Sequence, residues 1–302
     1  MGASATAAVE RDHSEMRKNE YRLAIGDHVL GMHFHPGRYA AVLRNYFNCE
    51  CSQKSPDIHL KFKILRRRTI PDIDNSLFTS KVFTNKGFEI SGNLIKGRYN
   101  RDTRYGRLQL DEILTVLPTI RVFEQLLYQA FYSAGNSKSN SEFLIHSCGV
   151  LHRGDGYLFV GRPGAGKSTV ARLSFPNAVL NDEVNLVSFA KGGVELRSTP
   201  FNGLFTEKSA GRGYLKAVLL LKQGSEHKLL KTNGAEAVRT LMQEIVPPMG
   251  LDEAMTRAVR AAMLDIADRI QRSVPTYWLE FQPNRGFWEL IDRGISKTRG
   301  VS

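Results

Sequence analysis

Cysteine is scarce in this chain, and long apolar runs are missing from it. Three cysteines occur in 302 residues, an odd and sparse set that argues against a disulfide framework and for a reducing compartment. No apolar stretch approaches the roughly 18 residues needed to cross a membrane. The first twenty residues also lack the apolar core of a secretory signal. We therefore expect a cytoplasmic protein without a membrane partner.

Acidic residues are few relative to basic ones, and the formal net charge is +12. Such a charge favours polyanionic or phosphorylated partners, although it bears on association rather than on fold. The hydrophobic fraction of 42% excludes collagenous and wholly disordered chains. At about 100–200 residues per domain, the length suggests about two domains.

The pattern of apolar residues divides the chain into three parts. Residues 1–19 form a polar tail that we expect to be disordered. Residues 20–135 predict a small β-rich α+β domain, with one short helix at 38–47 and an amphipathic helix after Pro118. A polar seam at 135–142 leads into residues 136–302, whose compact apolar runs predict a mixed central sheet and an α/β domain.

A basic run extends from Lys61 to Arg68 within one of the β-like stretches. It allows contact with nucleic acid or an acidic peptide. A charged strand at the edge of a sheet, which discourages aggregation, is the interpretation that we favour from sequence.

The segment from Gly161 to Ser168 reads Gly-Arg-Pro-Gly-Ala-Gly-Lys-Ser and matches the phosphate-loop pattern G-x-x-x-x-G-K-[ST]. A β-type run precedes it and a helix-forming run follows it, so backbone N–H groups and a helix N-terminus should surround a phosphate. Lys167 should reach the β- and γ-phosphates, and the Ser168 hydroxyl should bind Mg²⁺. The residues predicted to hold the nucleotide are Gly161, Gly164, Ala165, Gly166, Lys167, Ser168 and Thr169.

Two acidic residues, Asp182 and Glu183, follow the loop after only 15 residues from Lys167. A helix of roughly eight residues and a tight return fill that interval, so the strand that carries Asp182 should lie near the loop. An apparent hairpin around Gly192 and Gly193 comes directly afterwards. This order differs from that of phosphate-loop proteins with long βαβ excursions.

Residues 143–221 resemble the catalytic domain of HPr kinase/phosphorylase and its relatives, a fold shared with phosphoenolpyruvate carboxykinase. The resemblance rests on the LIHSCGV segment before the loop strand, on GYLFVGRPGAGKST, on LNDEV, and on TPFNG. The β-rich segment at 20–115 and the closing YWLEFQPN and FWELI segments also resemble stand-alone relatives found near peptide-modification genes. The fold that the resemblance implies is a phosphate-loop kinase domain with a mixed central sheet.

The resemblance implies an ATP- and Mg²⁺-dependent phosphotransferase that acts on a hydroxyl, typically a serine of a peptide or protein. Asp182 resembles one acid of the family's Asp-Asp pair and would be the general base, a role that suits a carboxylate beside a poorly nucleophilic hydroxyl. Glu183 is the candidate for a second Mg²⁺ ligand with Ser168. His146 would position the γ-phosphate or the acceptor.

Two departures from the family leave alternatives open. The Asp-Asp pair is replaced by Asn181-Asp182-Glu183, and no Pro-Gly-Arg-Asn signature of the bifunctional enzymes is present, which puts phosphorolysis and HPr as a substrate in doubt. Phosphoryl transfer to a nucleic acid or small molecule, and a non-catalytic ATP-sensing module that binds a peptide, are the other functions considered. A homo-oligomer also remains open.

Overall fold

The computed structural model of the protein describes residues 19–48, 52–66, 80–84, 86–116, 118–135, 142–247 and 253–295. Almost all of the predicted tail, most of the polar seam, Cys49 and Cys51 therefore lie outside the described residues. The chain divides into two compact units, one of residues 1–140 with 248–256, and one of residues 141–247 with 257–302. It is an α/β protein with mixed sheets and a small β-rich N-terminal region.

No helix in the described ranges combines the length and the apolar character required to cross a membrane.

The first unit is built on one mixed sheet. Its described elements are β1 (Glu20–Ile25), β2 (His28–His35), α1 (Arg38–Phe47), β3 (Ile58–Leu65), β4 (Ser80–Thr84), β5 (Gly87–Ser91), β6 (Ile95–Asn100), β7 (Tyr105–Asp111), a 3₁₀ turn (Glu112–Thr115) and α2 (Ile120–Gly135). Both predicted helices are confirmed, whereas strand β7 was not predicted as a separate element. Phe62 of β3 and Phe34 of β2 pack against Phe123 of α2.

Strand β3 lies in the interior of this sheet. The strand order is β1-β2-β3-β7-β6-β5-β4, and β3 is parallel to both of its neighbours. The edge-strand interpretation of the basic run is therefore wrong for Lys61 and Lys63. Their exposure follows from strict alternation, since Leu60, Phe62 and Ile64 are buried on the opposite face of the sheet.

The second unit carries an eight-stranded mixed sheet among its described residues. Its elements are β8 (Glu142–His152), β9 (Asp155–Val160), α3 (Lys167–Ser174), β10 (Ala178–Asn181), β11 (Val184–Ala190), β12 (Gly193–Arg197), β13 (Arg212–Gln223), β14 (Lys228–Lys231), α4 (Gly234–Glu244), α5 (Glu253–Ser273, from residue 257 onward), β15 (Thr276–Phe281) and α6 (Gly286–Ile295). The order is β10-β8-β11-β12-β13-β15-β14, with β9 between β8 and β13. The predicted hairpin is confirmed as β11 and β12.

Both faces of this sheet are covered by apolar side chains. Leu158 and Val160 of β9 belong to a cluster with α4 and α5, whereas Tyr157 and Phe159 belong to a cluster with α3 and α6. A strand buried on both faces is a continuous apolar run, which is why the segment before the loop was recognisable from sequence. The strand is parallel to β13 and antiparallel to β8, and it ends where the glycine-rich loop begins.

Candidate functional site

A glycine-rich loop joins strand β9 to helix α3. Gly164 and Gly166 have φ angles of +82° and +112°, a region that residues with a Cβ rarely adopt. A Cβ on Gly166 would also lie 2.7 Å from Cζ of Phe281. Gly166 is the N-cap of helix α3 and makes no side-chain cap hydrogen bond. The first N–H groups of the helix are thus directed toward the loop, where an anion is favoured.

Lys167 is a buried cation at the start of helix α3, with 8% of its surface exposed. Its Nζ donates a hydrogen bond of 2.6 Å to the carbonyl oxygen of Gly161. Burial lowers the pKa of Lys167, and the negative charges of Glu244, Glu183 and Asp182 oppose that shift. The ammonium group is therefore held at the loop with little hydration, and a phosphate group would find a cation that is already positioned.

Asn181 fixes the turn that presents the two acidic residues. Its Oδ1 accepts hydrogen bonds from the backbone N–H groups of Glu183 at 2.8 Å and Val184 at 3.2 Å. Its Nδ2 donates to the carbonyl oxygen of Phe201 at 2.6 Å. Because Asn181 is only 1% exposed and uses both ends of its amide, its role is structural. The acidic pair of the site is consequently Asp182 and Glu183.

The Asp182 carboxylate is enclosed by a loop between β12 and β13. The side chain is 2% exposed, and its oxygens accept hydrogen bonds of 3.2 Å from the backbone N–H groups of Leu204 and Phe205. Gly203 packs so closely that an added Cβ would lie 1.9 Å from Asp182 Oδ1. The same loop leaves Leu204 79% exposed. A backbone segment therefore lies over the predicted general base.

His146 joins two carboxylates at this site. It lies on β8 opposite Val184 of β11, so its ring comes next to Glu183, with 3.8 Å between Nε2 and Glu183 Oε2. Its Nδ1 lies 3.1 Å from Oε2 of Glu244. The carboxylates of Glu183 and Glu244 raise the pKa of His146 to about 9. The imidazole is therefore a cation at neutral pH.

The structure brings most of the predicted residues together. Lys167, Asp182, Glu183 and His146 are linked by the contacts and charges described above. Ser168 and Thr169 occupy the first turn of helix α3 and are half-buried, as is Ala165 in the loop. Glu183 is 35% exposed, so its carboxylate remains accessible to water and to cations.

Glu244 was not predicted from sequence. It ends helix α4, and the following residue, Ile245, forms an antiparallel bridge with Ile145 of β8. That bridge brings Glu244 beside His146, although 98 positions separate them. Its sequence context does not indicate a site residue, because a glutamate in an amphipathic helix is normally solvated. Its 7% exposure is the feature that distinguishes it.

The arrangement is suited to binding an anion and placing carboxylates beside it. Two cations, Lys167 and protonated His146, lie among Asp182, Glu183 and Glu244. No cluster of three or more His, Cys, Asp or Glu arranged to hold a metal occurs in the described part of the chain. Mg²⁺ at nucleotide sites is generally held by one or two carboxylates together with phosphate oxygens and water, and Glu183 and the Ser168 hydroxyl fit that donor set.

Fold and site together define an α/β protein whose mixed sheet carries a G-x-x-x-x-G-K-S loop between a strand and a helix. The chain belongs to the family described as SynChlorMet cassette protein ScmC, whose model matches residues 118–297. The matched region includes every residue of the site described above. No curated protein matches the chain.

Proposed function

We propose that this protein is a Mg²⁺- and ATP-dependent kinase that transfers the γ-phosphate to a serine hydroxyl of a peptide or protein. The observation that carries the proposal is the position of Lys167. Its buried ammonium lies at the uncapped start of helix α3 and close to the charges of Asp182, Glu183 and Glu244. A site with a phosphate-binding cation and a carboxylate for the acceptor has the two parts that phosphoryl transfer requires.

The topology supports the HPr-kinase type of phosphate-loop fold as part of this proposal. The loop strand β9 lies between β13, to which it is parallel, and β8, to which it is antiparallel. Asp182 follows β10, a short strand that returns antiparallel to β8 immediately after helix α3. The acid thus reaches the loop without a long crossover. This arrangement agrees with the resemblance carried by residues 143–221.

ATP would be held by the loop and the start of helix α3. Backbone N–H groups from Gly161 to Thr169 would surround the β- and γ-phosphates, and Lys167 would exchange its bond to the Gly161 carbonyl for phosphate oxygens. Ser168 and Glu183 would hold Mg²⁺, which when bound neutralises phosphate charge. Protonated His146 adds a second cation beside Glu183, where it can attract the γ-phosphate.

Asp182 would accept the proton of the acceptor hydroxyl. In the transfer step the serine oxygen forms a bond to the γ-phosphorus, the bond from that phosphorus to the β,γ-bridging oxygen breaks, and ADP leaves with the electron pair. The loop at Gly203 to Phe205 must withdraw from at least one Asp182 oxygen before the hydroxyl can reach it. Catalytic hydrogen bonds commonly form only in the substrate complex, so this closed state is compatible with the proposal.

The enclosure of Asp182 also supports a second candidate function. A carboxylate that is 2% exposed and bonded to Leu204 and Phe205 can be a purely structural anchor for the loop. The protein would then be a nucleotide-sensing module, in which ATP orders a peptide-binding surface without being consumed. This candidate requires tight ATP binding in the absence of phosphoryl transfer.

The test is the transfer of label from Mg²⁺ and γ-labelled ATP into a whole-cell extract. Wild type is compared with Lys167→Ala and Asp182→Asn, and with Lys191→Ala and Asp265→Asn as surface controls. We expect a labelled peptide or protein that is lost with Lys167→Ala and Asp182→Asn and retained with both controls. Acid hydrolysis of the labelled band should yield phosphoserine.

Other outcomes would contradict the proposal in different ways. ATP binding by wild type without label in any fraction would favour the sensing module. Label that appears only in nucleic acid or in a small molecule would identify a kinase with a different acceptor. Full transfer by Asp182→Asn would exclude the role of Asp182 as the base.

A further inference from the structure

The outer face of the first unit's sheet carries a dense group of basic side chains. We define the basic sheet face by five exposed residues on three adjacent strands: Lys61, Lys63, Lys96, Arg98 and Arg107. These strands, β3, β7 and β6, are interior strands of the sheet. Protection of a sheet edge therefore does not explain why five basic residues are clustered on these strands.

Strand register places these cations directly beside one another. Lys61 is opposite Arg107, and Arg107 is opposite Arg98. In the next row, Lys63 and Lys96 lie on either side of Gln109. Like charges at directly opposed positions destabilise a sheet, so folding alone does not favour this arrangement.

Few acidic side chains offset this charge. Glu89 of β5 is opposite Arg98, and Glu20 at the far edge is bound to Arg22. Among the described residues, no carboxylate lies within 4.0 Å of the charged atoms of the basic sheet face. The arginine nearest the centre, Arg107, instead donates a hydrogen bond of 3.0 Å to the hydroxyl of Tyr105. The face thus presents unbalanced positive charge to solvent.

An open, shallow groove of about 760 Å³ lies on this face. His35, Lys61, Lys63, Glu89, Lys96 and Arg107 are among the residues that line it. Strands lie about 4.8 Å apart, and alternate residues of one strand are about 7 Å apart. An extended peptide has the same spacing of about 7 Å between side chains on one face. Acidic residues at alternate positions of such a peptide therefore have the same spacing as Lys61 and Lys63 along β3.

We infer that the basic sheet face is a docking surface for an extended acidic segment of a partner peptide or protein. Single-stranded nucleic acid fits less well, because sheet surfaces that bind it offer aromatic rings for base stacking. On β3, β6 and β7, Tyr105 is the one Phe, Tyr or Trp that shares the face of Lys61, and Lys61 and Arg107 lie 5.8 Å and 5.5 Å from its ring centroid. The inference does not depend on phosphoryl transfer, since it concerns binding to residues outside the phosphate-loop unit.

The test is fluorescence anisotropy with a labelled peptide of about twelve residues in which Glu and Ser alternate, a spacing that follows the strand repeat. A peptide with Gln in place of Glu and an oligothymidylate of similar length are the comparison probes. The variants of the full chain are Lys61→Gln/Lys63→Gln and, as a matched control for lost charge, Lys231→Gln/Arg239→Gln. All four altered residues are exposed, and circular dichroism verifies that each variant is folded.

We expect the Glu peptide to bind and the Gln peptide not to bind. Affinity should fall by at least about tenfold in Lys61→Gln/Lys63→Gln, fall far less in the control, and decrease with salt, as expected for exposed charges.

Equal losses in both variants would show diffuse attraction to net charge and overturn the inference. Tighter binding of the oligothymidylate, with the same dependence on Lys61 and Lys63, would assign the face to nucleic acid instead. Absence of peptide binding at low salt would also overturn it. None of these outcomes bears on ATP turnover.

Discussion

Nδ1 of His146 lies 3.1 Å from Oε2 of Glu244, and this contact joins strand β8 to the end of helix α4. Glu183 lies on the other side of the same imidazole ring. The ring is therefore held between two carboxylates in the immediate surroundings of Lys167.

The first prediction concerns the protonation of His146. Removing the charge of Glu183 or Glu244, by Glu183→Gln or Glu244→Gln, should lower the pKa of His146 from about 9 because each carboxylate stabilises the imidazolium. The measurement is a pH titration of the imidazole resonances by NMR. In the double variant the pKa should reach or fall below the ordinary value near 6.5, because burial opposes protonation. An unchanged titration in both single variants would refute the assignment of these partners.

The second prediction is a loss of stability in alkali. A histidine whose pKa is raised in the folded state stabilises that state fully below its unfolded pKa near 6.5, and the contribution is lost as pH rises through about 9. The size of the effect is on the order of 2 kcal/mol, allowing for the partial exposure of the ring.

The measurement is urea unfolding at pH 7 and pH 10, with His146→Gln as the comparison. Wild type should lose more free energy of unfolding between the two pH values than His146→Gln does. Equal losses would show that other groups govern the alkaline transition.

The third prediction concerns the loop that covers Asp182. Gly203→Ala places a Cβ 1.9 Å from Asp182 Oδ1, so the loop or the carboxylate must move. Turnover should fall by about tenfold or more, because a displacement of about 1 Å at a catalytic group has effects of that size. ATP affinity should change little, since the phosphate loop is not altered.

A matched control lies in the same loop. A Cβ on Gly211 would meet only methyl groups of Leu151 and Leu180, at 3.4 Å, so Gly211→Ala should preserve turnover. The prediction fails if both variants lose turnover equally, or if Gly203→Ala retains full turnover.

The fourth prediction concerns Asn181. Asn181→Ala removes the acceptor for two backbone N–H groups and the donor to the Phe201 carbonyl, all within a buried turn. Unsatisfied buried groups cost about 1–3 kcal/mol each when no rearrangement compensates. We expect a loss of about 2–4 kcal/mol in the free energy of unfolding, measured by urea titration. A change below about 0.5 kcal/mol, typical of surface substitutions, would contradict the structural role.

The features that could be predicted from the sequence are those that depend on local pattern. The glycine-rich loop could be predicted because Gly164 and Gly166 adopt positive φ angles that residues with a Cβ rarely adopt. Strand β9 was visible because burial on both faces leaves an unbroken apolar run. Helix α1, helix α2 and the β11–β12 hairpin were likewise predictable from periodicity and turn residues. The acidic pair followed from its short distance in sequence to the loop.

Contacts between residues that are distant in sequence could not be predicted and are seen in the folded chain. Glu244 reaches His146 through a bridge between segments about a hundred positions apart, and nothing in its own helix indicates that contact. The loop over Asp182 and the structural role of Asn181 depend on hydrogen bonds across about twenty residues. Lys61 was wrongly assigned to an edge strand. Alternation of buried and exposed residues shows which side chains share a face, but it does not show which strands lie on either side. Strand order arises from long-range pairing, whose free energy depends on the whole sheet. The sequence of a single strand therefore does not indicate which strands it will pair with.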